Sequence, residues 1–307
     1  VQVAAAQQAY PVKPIRFVVP YPPGGANNVL ARLAGEKFTE AWGQPVIVDN
    51  RAGGNTIIGT ESVAKAPRDG HTLLLATTPF ATNPSLVPNL PYDTLKDFAP
   101  IATLAGTEQL LVVPPSLPTG NLQDLVALAK SRPGQLNYAS TGSGGIQHLA
   151  AELFGMMTGT RMRHIPYKGG SAAMTDLMSG EVQLWFSVPS TVLSQVRAGK
   201  LKPIAVSGEV RLASLPQVPT FTEAGLQGLV LRNWYGVLAT GGTPRPVVDK
   251  LSLEVARILA VSDIREKLDG LGLAPFVSSA DQFAAILKAD IAKYAQIIRT
   301  ADIRVEN

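Results

Sequence analysis

The sequence contains no cysteine among its 307 residues, and only three histidines. The absence of cysteine excludes disulfides, thiolate catalysis, iron–sulfur clusters and cysteine-based zinc sites. His71, His148 and His164 lie too far apart in sequence to form a local metal-binding motif. We therefore predict no metal, no cofactor and no histidine chemistry.

Charge is also sparse, since charged residues make up 16% of the chain and hydrophobic residues 46%. This composition predicts folded material throughout, in a chain long enough for two domains. The 27 Lys and Arg residues, against 23 Asp and Glu, are scattered and form no basic run. We therefore expect no nucleic-acid partner. No stretch approaches the roughly 18 apolar residues of a membrane-spanning helix.

Residues 1–9 are small and featureless, and the patterned sequence begins near Tyr10. They are typical of the end of a secretory signal, with a cleavage region of small residues and without the apolar core. An ordinary frayed terminus is the alternative. On the first interpretation, the chain is exported through a cleaved signal peptide.

Strand-like and helix-like patterns alternate along two parts of the chain, residues 15–76 and residues 122–206. This order predicts two α/β halves, each with a mostly parallel sheet covered by helices. The apolar run 101–113 suits a strand that crosses between the halves. Two amphipathic helices, beginning near Pro246 and after Ser279, close the chain and are expected to pack on the first half. We predict lobe 1 over residues 10–104 plus 225–307, and lobe 2 over residues 105–224.

In each half, one apolar run ends in small residues immediately before a helical pattern. These junctions hold Gly24 to Asn28 in the first half and Ser140 to Gly145 in the second. Such junctions aim free backbone N–H groups and the positive end of a helix dipole at one point. Neither junction fits a nucleotide-binding motif. The sequence therefore predicts a site for a small anion, such as a carboxylate, between the halves.

Eight short motifs, in their order and spacing over residues 10–306, carry a family resemblance. They are Tyr21-Pro22-Pro23-Gly24-Gly25, Asn50-Arg51-Ala52-Gly53-Gly54, residues 66–74, Leu90-Pro91-Tyr92-Asp93, residues 136–140, residues 164–169, Ala198-Gly199-Lys200-Leu201, and Val218-Pro219-Thr220 with Glu223-Ala224-Gly225. Together they resemble the extracytoplasmic solute receptors of the tripartite tricarboxylate transporters, called Bug proteins in Bordetella.

The resemblance implies a type II periplasmic-binding-protein fold, with two α/β lobes joined by crossing strands and a ligand cleft between them. It also implies a periplasmic receptor without enzymatic activity. Such a receptor captures a small organic anion by lobe closure and delivers it to integral membrane permease subunits. The ligand could be a dicarboxylate, a tricarboxylate, an acidic amino acid or an aromatic acid. A monomer is expected.

The resemblance also implies which residues bind the ligand. The first lobe would contribute a glycine-rich cradle and two threonines, and the second lobe a Ser/Thr/Gly loop and a turn: Gly24, Gly25, Ala26, Asn27, Thr77 and Thr78, then Ser140, Thr141, Gly142, Ser143, Tyr167, Lys168 and Gly169. Lys168 could attract an acid or could be a solvated lysine.

Two positions depart from the family pattern, because Asn28 and Ser187 stand where members often have Asp. If either faces the cleft, the loss of a negative charge disfavours a cationic amino group and favours an anionic or neutral ligand. Asn28 could equally cap the following helix.

Two other functions remain as alternatives. The resemblance also allows a sensor that signals to a membrane histidine kinase. A serine hydrolase would use Ser143, but a nucleophile elbow needs Gly two positions before the serine, and residue 141 is Thr. We therefore expect no enzyme.

Overall fold

The computed structural model describes residues 10–167 and 169–304. The predicted signal remnant over residues 1–9 and the predicted site residue Lys168 lie outside these described residues. No helix of the described chain is both long enough and apolar enough to cross a membrane.

The described chain forms strands and helices that alternate over most of its length. The strands are β1 Ile15–Val19, β2 Val46–Asn50, β3 Thr72–Ala76, β4 Phe98–Glu108, β5 Leu110–Val113, β6 Asn137–Ser140, β7 Arg163–Pro166, β8 Leu184–Ser187, β9 Lys202–Val206, β10 Arg232–Thr240 and β11 Ala274–Pro275. The helices are α1 Ala26–Trp42, α2 Ile57–Ala64, α3 Thr78–Leu86, α4 Leu122–Ser131, α5 Ile146–Thr158, α6 Gly170–Ser179, α7 Pro189–Arg197, α8 Arg245–Ala260, α9 Ser262–Gly270 and α10 Ala280–Thr300.

The first lobe is built on a six-stranded sheet in the order β11-β4-β10-β3-β1-β2. β1 runs parallel to β2 and β3, whereas β10 runs antiparallel to β3 and β4. Every residue of β3 is buried, as expected for a central strand covered by helices on both faces. The carboxyl ends of β1 and β3 therefore lie at one edge of the sheet, where α1 and α3 begin.

The second lobe is built on a five-stranded sheet in the order β7-β6-β8-β5-β9. β6 runs parallel to β7 and β8, and β5 runs antiparallel to β8 and β9. Phe154, Phe186 and Phe221 pack together in its core, with ring centroids 5.8 to 6.4 Å apart. The predicted class, two α/β halves, is confirmed. The prediction of mostly parallel sheets is wrong, because three of the five strand pairs in the first sheet and two of the four in the second are antiparallel.

The chain crosses between the sheets twice, and only the first crossing has little intervening sequence. β4 of the first sheet ends at Glu108 and β5 of the second begins at Leu110, so Gln109 alone lies between them. The chain leaves β9 at Val206 and reaches the first sheet again at Arg232. The lobe boundaries after residues 104 and 224 stay a prediction. The nearest ends of first-sheet strands are Glu108 and Arg232.

Candidate functional site

A cavity of about 280 Å³ lies between the two lobes. The first lobe lines it with Tyr21, Asn27, Asn55, Thr77, Thr78, Pro79, Asn233 and Tyr235, and the second with Thr141, Gly142, Ser143, Gly145 and Ile146. Hydroxyl, amide and backbone groups predominate, and none of these lining residues carries a charged side chain. Its volume suits a small ligand, because pockets for drug-sized molecules span roughly 300 to 1,000 Å³.

Three helices begin at this cavity. The lining includes residues at the start of α1, α3 and α5, namely Asn27, Thr78 and Ile146. Their N-cap residues are Gly25, Thr77 and Gly145, and no side chain of the described chain caps them. The first-turn N–H groups of a helix have no acceptor within the helix and carry the positive end of its dipole. The arrangement therefore favours an anion without a cationic side chain among the described lining residues.

Two tyrosine hydroxyls belong to the wall of the first lobe. Tyr21 Oη lies 2.5 Å from Thr77 Oγ1, at the N-cap of α3. Burial raises the pKa of Tyr21 well above its ordinary value and that of Tyr235 to about 12. Both phenols are therefore protonated near neutral pH and can donate a hydrogen bond.

The loop from Ser140 to Gly145 forms the wall of the second lobe, and side chains outside the cavity support it. The backbone N–H of Thr141 donates to Gln147 Oε1 over 2.9 Å, and the Trp185 indole donates to the same oxygen over 3.0 Å. The backbone N–H of Gly144 donates to His148 Nδ1 over 3.2 Å. These bonds hold the loop in place at the start of α5.

A pair of stacked histidines lies behind this loop. The rings of His148 and His164 have centroids 3.8 Å apart, and Ser140 Oγ lies 2.6 Å from His164 Nε2. Burial lowers the pKa of His148 to about 3 and that of His164 to about 4, and for His148 the neighbouring His164 adds to the effect. Both rings are neutral near pH 7. Neither lines the cavity, so within the described site their role is to support the loop.

Six of the predicted site residues line the cavity: Asn27, Thr77, Thr78, Thr141, Gly142 and Ser143. Eight others lie outside its lining: Gly24, Gly25, Ala26, Asn28, Ser140, Tyr167, Gly169 and Ser187. Asn28 turns to the sheet, where its Nδ2 donates to Asn50 Oδ1 over 2.7 Å. Tyr167 donates to Asp176 Oδ2 over 2.7 Å, and Ser187 is fully buried in β8.

Seven lining residues were not among the predicted ligand-binding residues: Tyr21, Asn55, Pro79, Gly145, Ile146, Asn233 and Tyr235. Asn233 reaches the cavity from β10, 155 residues after Thr78, and Thr78 Oγ1 donates to its Oδ1 over 2.7 Å. Asn55 follows a Gly-Gly turn and has φ of +50°, in the left-handed region. Asparagine tolerates that conformation better than most residues. This turn is the one sequence signal that could have found Asn55.

Four other hollows, of about 400, 750, 380 and 290 Å³, are larger than this cavity. The first, between α4, the end of α5 and residues 224–226, is lined mainly by aliphatic side chains. The second follows residues 84–95. We take the cavity between the lobes as the site, because it gathers three helix N-termini and converging polar groups.

Known proteins resemble this chain over nearly its whole length. The family described as "Tripartite tricarboxylate transporter family receptor", TctC, matches residues 30–303. Protein BugT of Bordetella pertussis is 34% identical over 97% of this chain and 92% of its own length.

Two solved structures are also similar. An R. palustris protein with adipate has a TM-score of 0.81 at 34% identity, covering 97% of this chain and all of that one. MatC from Rhodopseudomonas palustris with bound malate has a TM-score of 0.77 at 29% identity, covering 94% of this chain and all of that one.

Proposed function

Because the chain belongs to the TctC family of tripartite tricarboxylate transporter receptors, we propose that it captures a small organic carboxylate in the cavity between its lobes. The observation that carries the proposal is the meeting of three uncapped helix N-termini at a cavity whose described lining residues carry no charged side chain. Backbone N–H groups and hydroxyls replace the hydration of the carboxylate with charge-assisted hydrogen bonds. The adipate and malate bound to similar proteins support this ligand class.

Capture proceeds by closure of the two lobes. Two close contacts between the lobes support closure, and in each of them a glycine of one lobe packs against a side chain of the other. A Cβ added to Gly272 would lie 2.1 Å from Ser190 Cβ at the start of α7, and one added to Gly144 would lie 2.3 Å from Leu86 Cδ1. Real Cβ atoms do not approach other atoms so closely. At both glycines the facing lobe is thus too close to leave room for a side chain, as expected of a closed receptor.

The closed receptor delivers its ligand to the membrane subunits of a tripartite transporter. Closure changes the surface that the lobes present together, so a membrane partner can distinguish the liganded from the empty form. Ligand capture and delivery take place in the periplasm. The family and the solved neighbours are solute-binding receptors, not enzymes, and the serine that contacts a histidine is the fully buried Ser140 rather than Ser143.

A thermal-shift screen of organic acids, followed by calorimetric titration of those that stabilise the protein, tests the proposal. A ligand that binds only the folded state raises the melting temperature with concentration. We expect at least one carboxylate to do so, and Thr141→Val, which removes a lining hydroxyl, to weaken it. Ser214→Ala, an exposed change away from the cavity, is the control. A screen in which no organic acid stabilises the protein contradicts the proposal.

A further inference from the structure

The first-lobe wall of the cavity carries a hydrogen-bond acceptor that no protein donor occupies. Asn27 lines the cavity at the start of α1. Its Oδ1 is buried and has no hydrogen-bond partner within the described part of the chain. Buried polar atoms in folded proteins are nearly always paired, and one that is left unpaired at a binding cavity is a position for a ligand atom.

A second acceptor, on Asn55, has its orientation fixed by a network. Asn83 is fully buried, and its Nδ2 donates to the backbone carbonyl of Asn55 over 2.9 Å. A carbonyl can only accept, so the Asn83 amide cannot be reversed, and its Oδ1 must face the side chain of Asn55. Asn55 Nδ2 donates to that oxygen over 2.8 Å. The remaining polar atom of the Asn55 side chain is therefore Oδ1, an acceptor.

The hydroxyl of Thr78, on the same wall, already donates its hydrogen to another residue. Thr78 Oγ1 donates to Asn233 Oδ1 over 2.7 Å, which leaves only lone pairs on the threonine oxygen. Asn27, Asn55 and Thr78 thus offer acceptors, whereas the helix N-termini around them offer donors. A carboxylate satisfies the donors but has no hydrogen to give to the acceptors.

We infer that the ligand is a hydroxycarboxylate, with its carboxylate at the helix N-termini and its hydroxyl donating to Asn27 or Asn55. This inference rests on the proposed function and narrows its ligand class. A hydroxyl fits better than an ammonium group, because no carboxylate side chain is among the lining residues to balance a positive charge. A site built to bond a ligand hydroxyl discriminates strongly against the analogue that lacks it, since its own buried groups then stay unpaired.

Calorimetric titration of the whole protein with matched acids tests the inference. The pairs are succinate with malate, and adipate with its hydroxy derivative; aspartate is the amino counterpart of malate. We expect the hydroxy acid of a pair to bind at least about tenfold more tightly than its parent, and malate to bind more tightly than aspartate.

Two variants test whether the first-lobe wall of the cavity causes the preference for the hydroxy acid. Asn27→Leu replaces the amide by an apolar group of similar size, and Asn55→Gly removes a side chain without strain, because glycine favours a positive φ. At least one should reduce the preference to about threefold or less, because the variant loses more affinity for the hydroxy acid than for its parent. Asn27→Asp, which adds a negative charge, should move the preference toward aspartate.

The outcomes separate this inference from the function on which it rests. Equal affinity for both acids of a pair overturns the inference and leaves the carboxylate receptor standing. A preference for the hydroxy acid that both variants retain in full also overturns it, as does tighter binding of aspartate. If neither the parent nor the hydroxy acids bind at millimolar concentration, the inference fails, and the proposed function fails with it only if the thermal-shift screen also finds no stabilising organic acid.

Discussion

Gln109 and Ser207 hydrogen-bond each other twice where the two crossing segments lie side by side. The Gln109 N–H donates to Ser207 Oγ and the Ser207 N–H donates to the Gln109 carbonyl, each over 2.8 Å. Both residues are fully buried, and Ser207 Oγ also donates to the Leu231 carbonyl over 2.6 Å. One serine thus ties together the segments that connect the lobes, and it marks the axis about which we expect the lobes to move.

Ser207→Ala should destabilise the protein by about 1–3 kcal/mol, because it leaves a buried N–H of Gln109 and a buried carbonyl of Leu231 without their partner. The measurement is the free energy of unfolding in denaturant. Ser214→Ala is the matched control, since Ser214 is exposed, and it should change stability by less than about 0.5 kcal/mol. Equal stability of the two variants would contradict the structural role proposed for Ser207.

Gly272→Ala should weaken ligand binding by obstructing closure. The new Cβ would lie 2.1 Å from Ser190 Cβ on the facing lobe. In an open form that distance can grow, so the clash acts on the closed form alone. We therefore expect ligand affinity, measured by titration, to fall about tenfold or more, with a smaller effect on the melting temperature of the empty protein.

Gly159→Ala is the control for the backbone strain in that variant. Gly159 has φ of +65°, close to the +69° of Gly272, and a Cβ added there would meet no atom within 4 Å. Both variants carry the strain of a left-handed alanine, but only Gly272→Ala adds the contact across the lobes. Similar affinities of the two variants would contradict the closure proposed here.

The stacked pair His148 and His164 should make the protein less stable in acid. Their pKa values are about 3 and about 4 in the folded state, whereas an unfolded histidine titrates near 6.5. From about pH 6.5 down to about 4 the unfolded chain binds more protons, so the free energy of unfolding falls as the pH falls. Burial raises the pKa of Glu152, which opposes this trend, since the folded state then holds that proton more tightly.

The comparison is between the wild type and the double variant His148→Gln, His164→Gln, in unfolding experiments from pH 7.5 to 4.5. We expect the double variant to be less sensitive to acid over this range. Parallel pH profiles for the two proteins would exclude the histidines as the cause.

The parts of the fold predicted from sequence are those with strong local patterns. Residues 73–76, most of β3, are an unbroken apolar run. Residues 280–300 repeat Phe283, Leu287 and Tyr294 at helical spacing, and both elements formed as expected. α3 was missed because Pro79 and Pro84 lie inside it. Its first turn tolerates one proline, but an interior proline is unfavourable in a helix.

The site shows the same division between local and distant signals. The Ser/Thr/Gly loop follows a strand directly, so its place at the cleft could be read from residue order, whereas Thr77 and Thr78 were predicted from the family resemblance. Asn233 comes from a strand that returns after the whole second lobe, and Asn55 depends on its contact with Asn83, 28 residues away. Contacts between residues so far apart in the chain cannot be predicted from local sequence patterns. The stacking of His148 on His164 was hidden for the same reason.

Calorimetric titration of a stabilising organic acid into the wild type and into Ser143→Trp tests the central claim most directly. Ser143 lines the cavity, and an indole at this position would occupy much of its volume of about 280 Å³. The account predicts saturable binding of one acid per wild-type chain and its loss in a Ser143→Trp protein that remains folded. Equal binding by both proteins would contradict a site between the lobes.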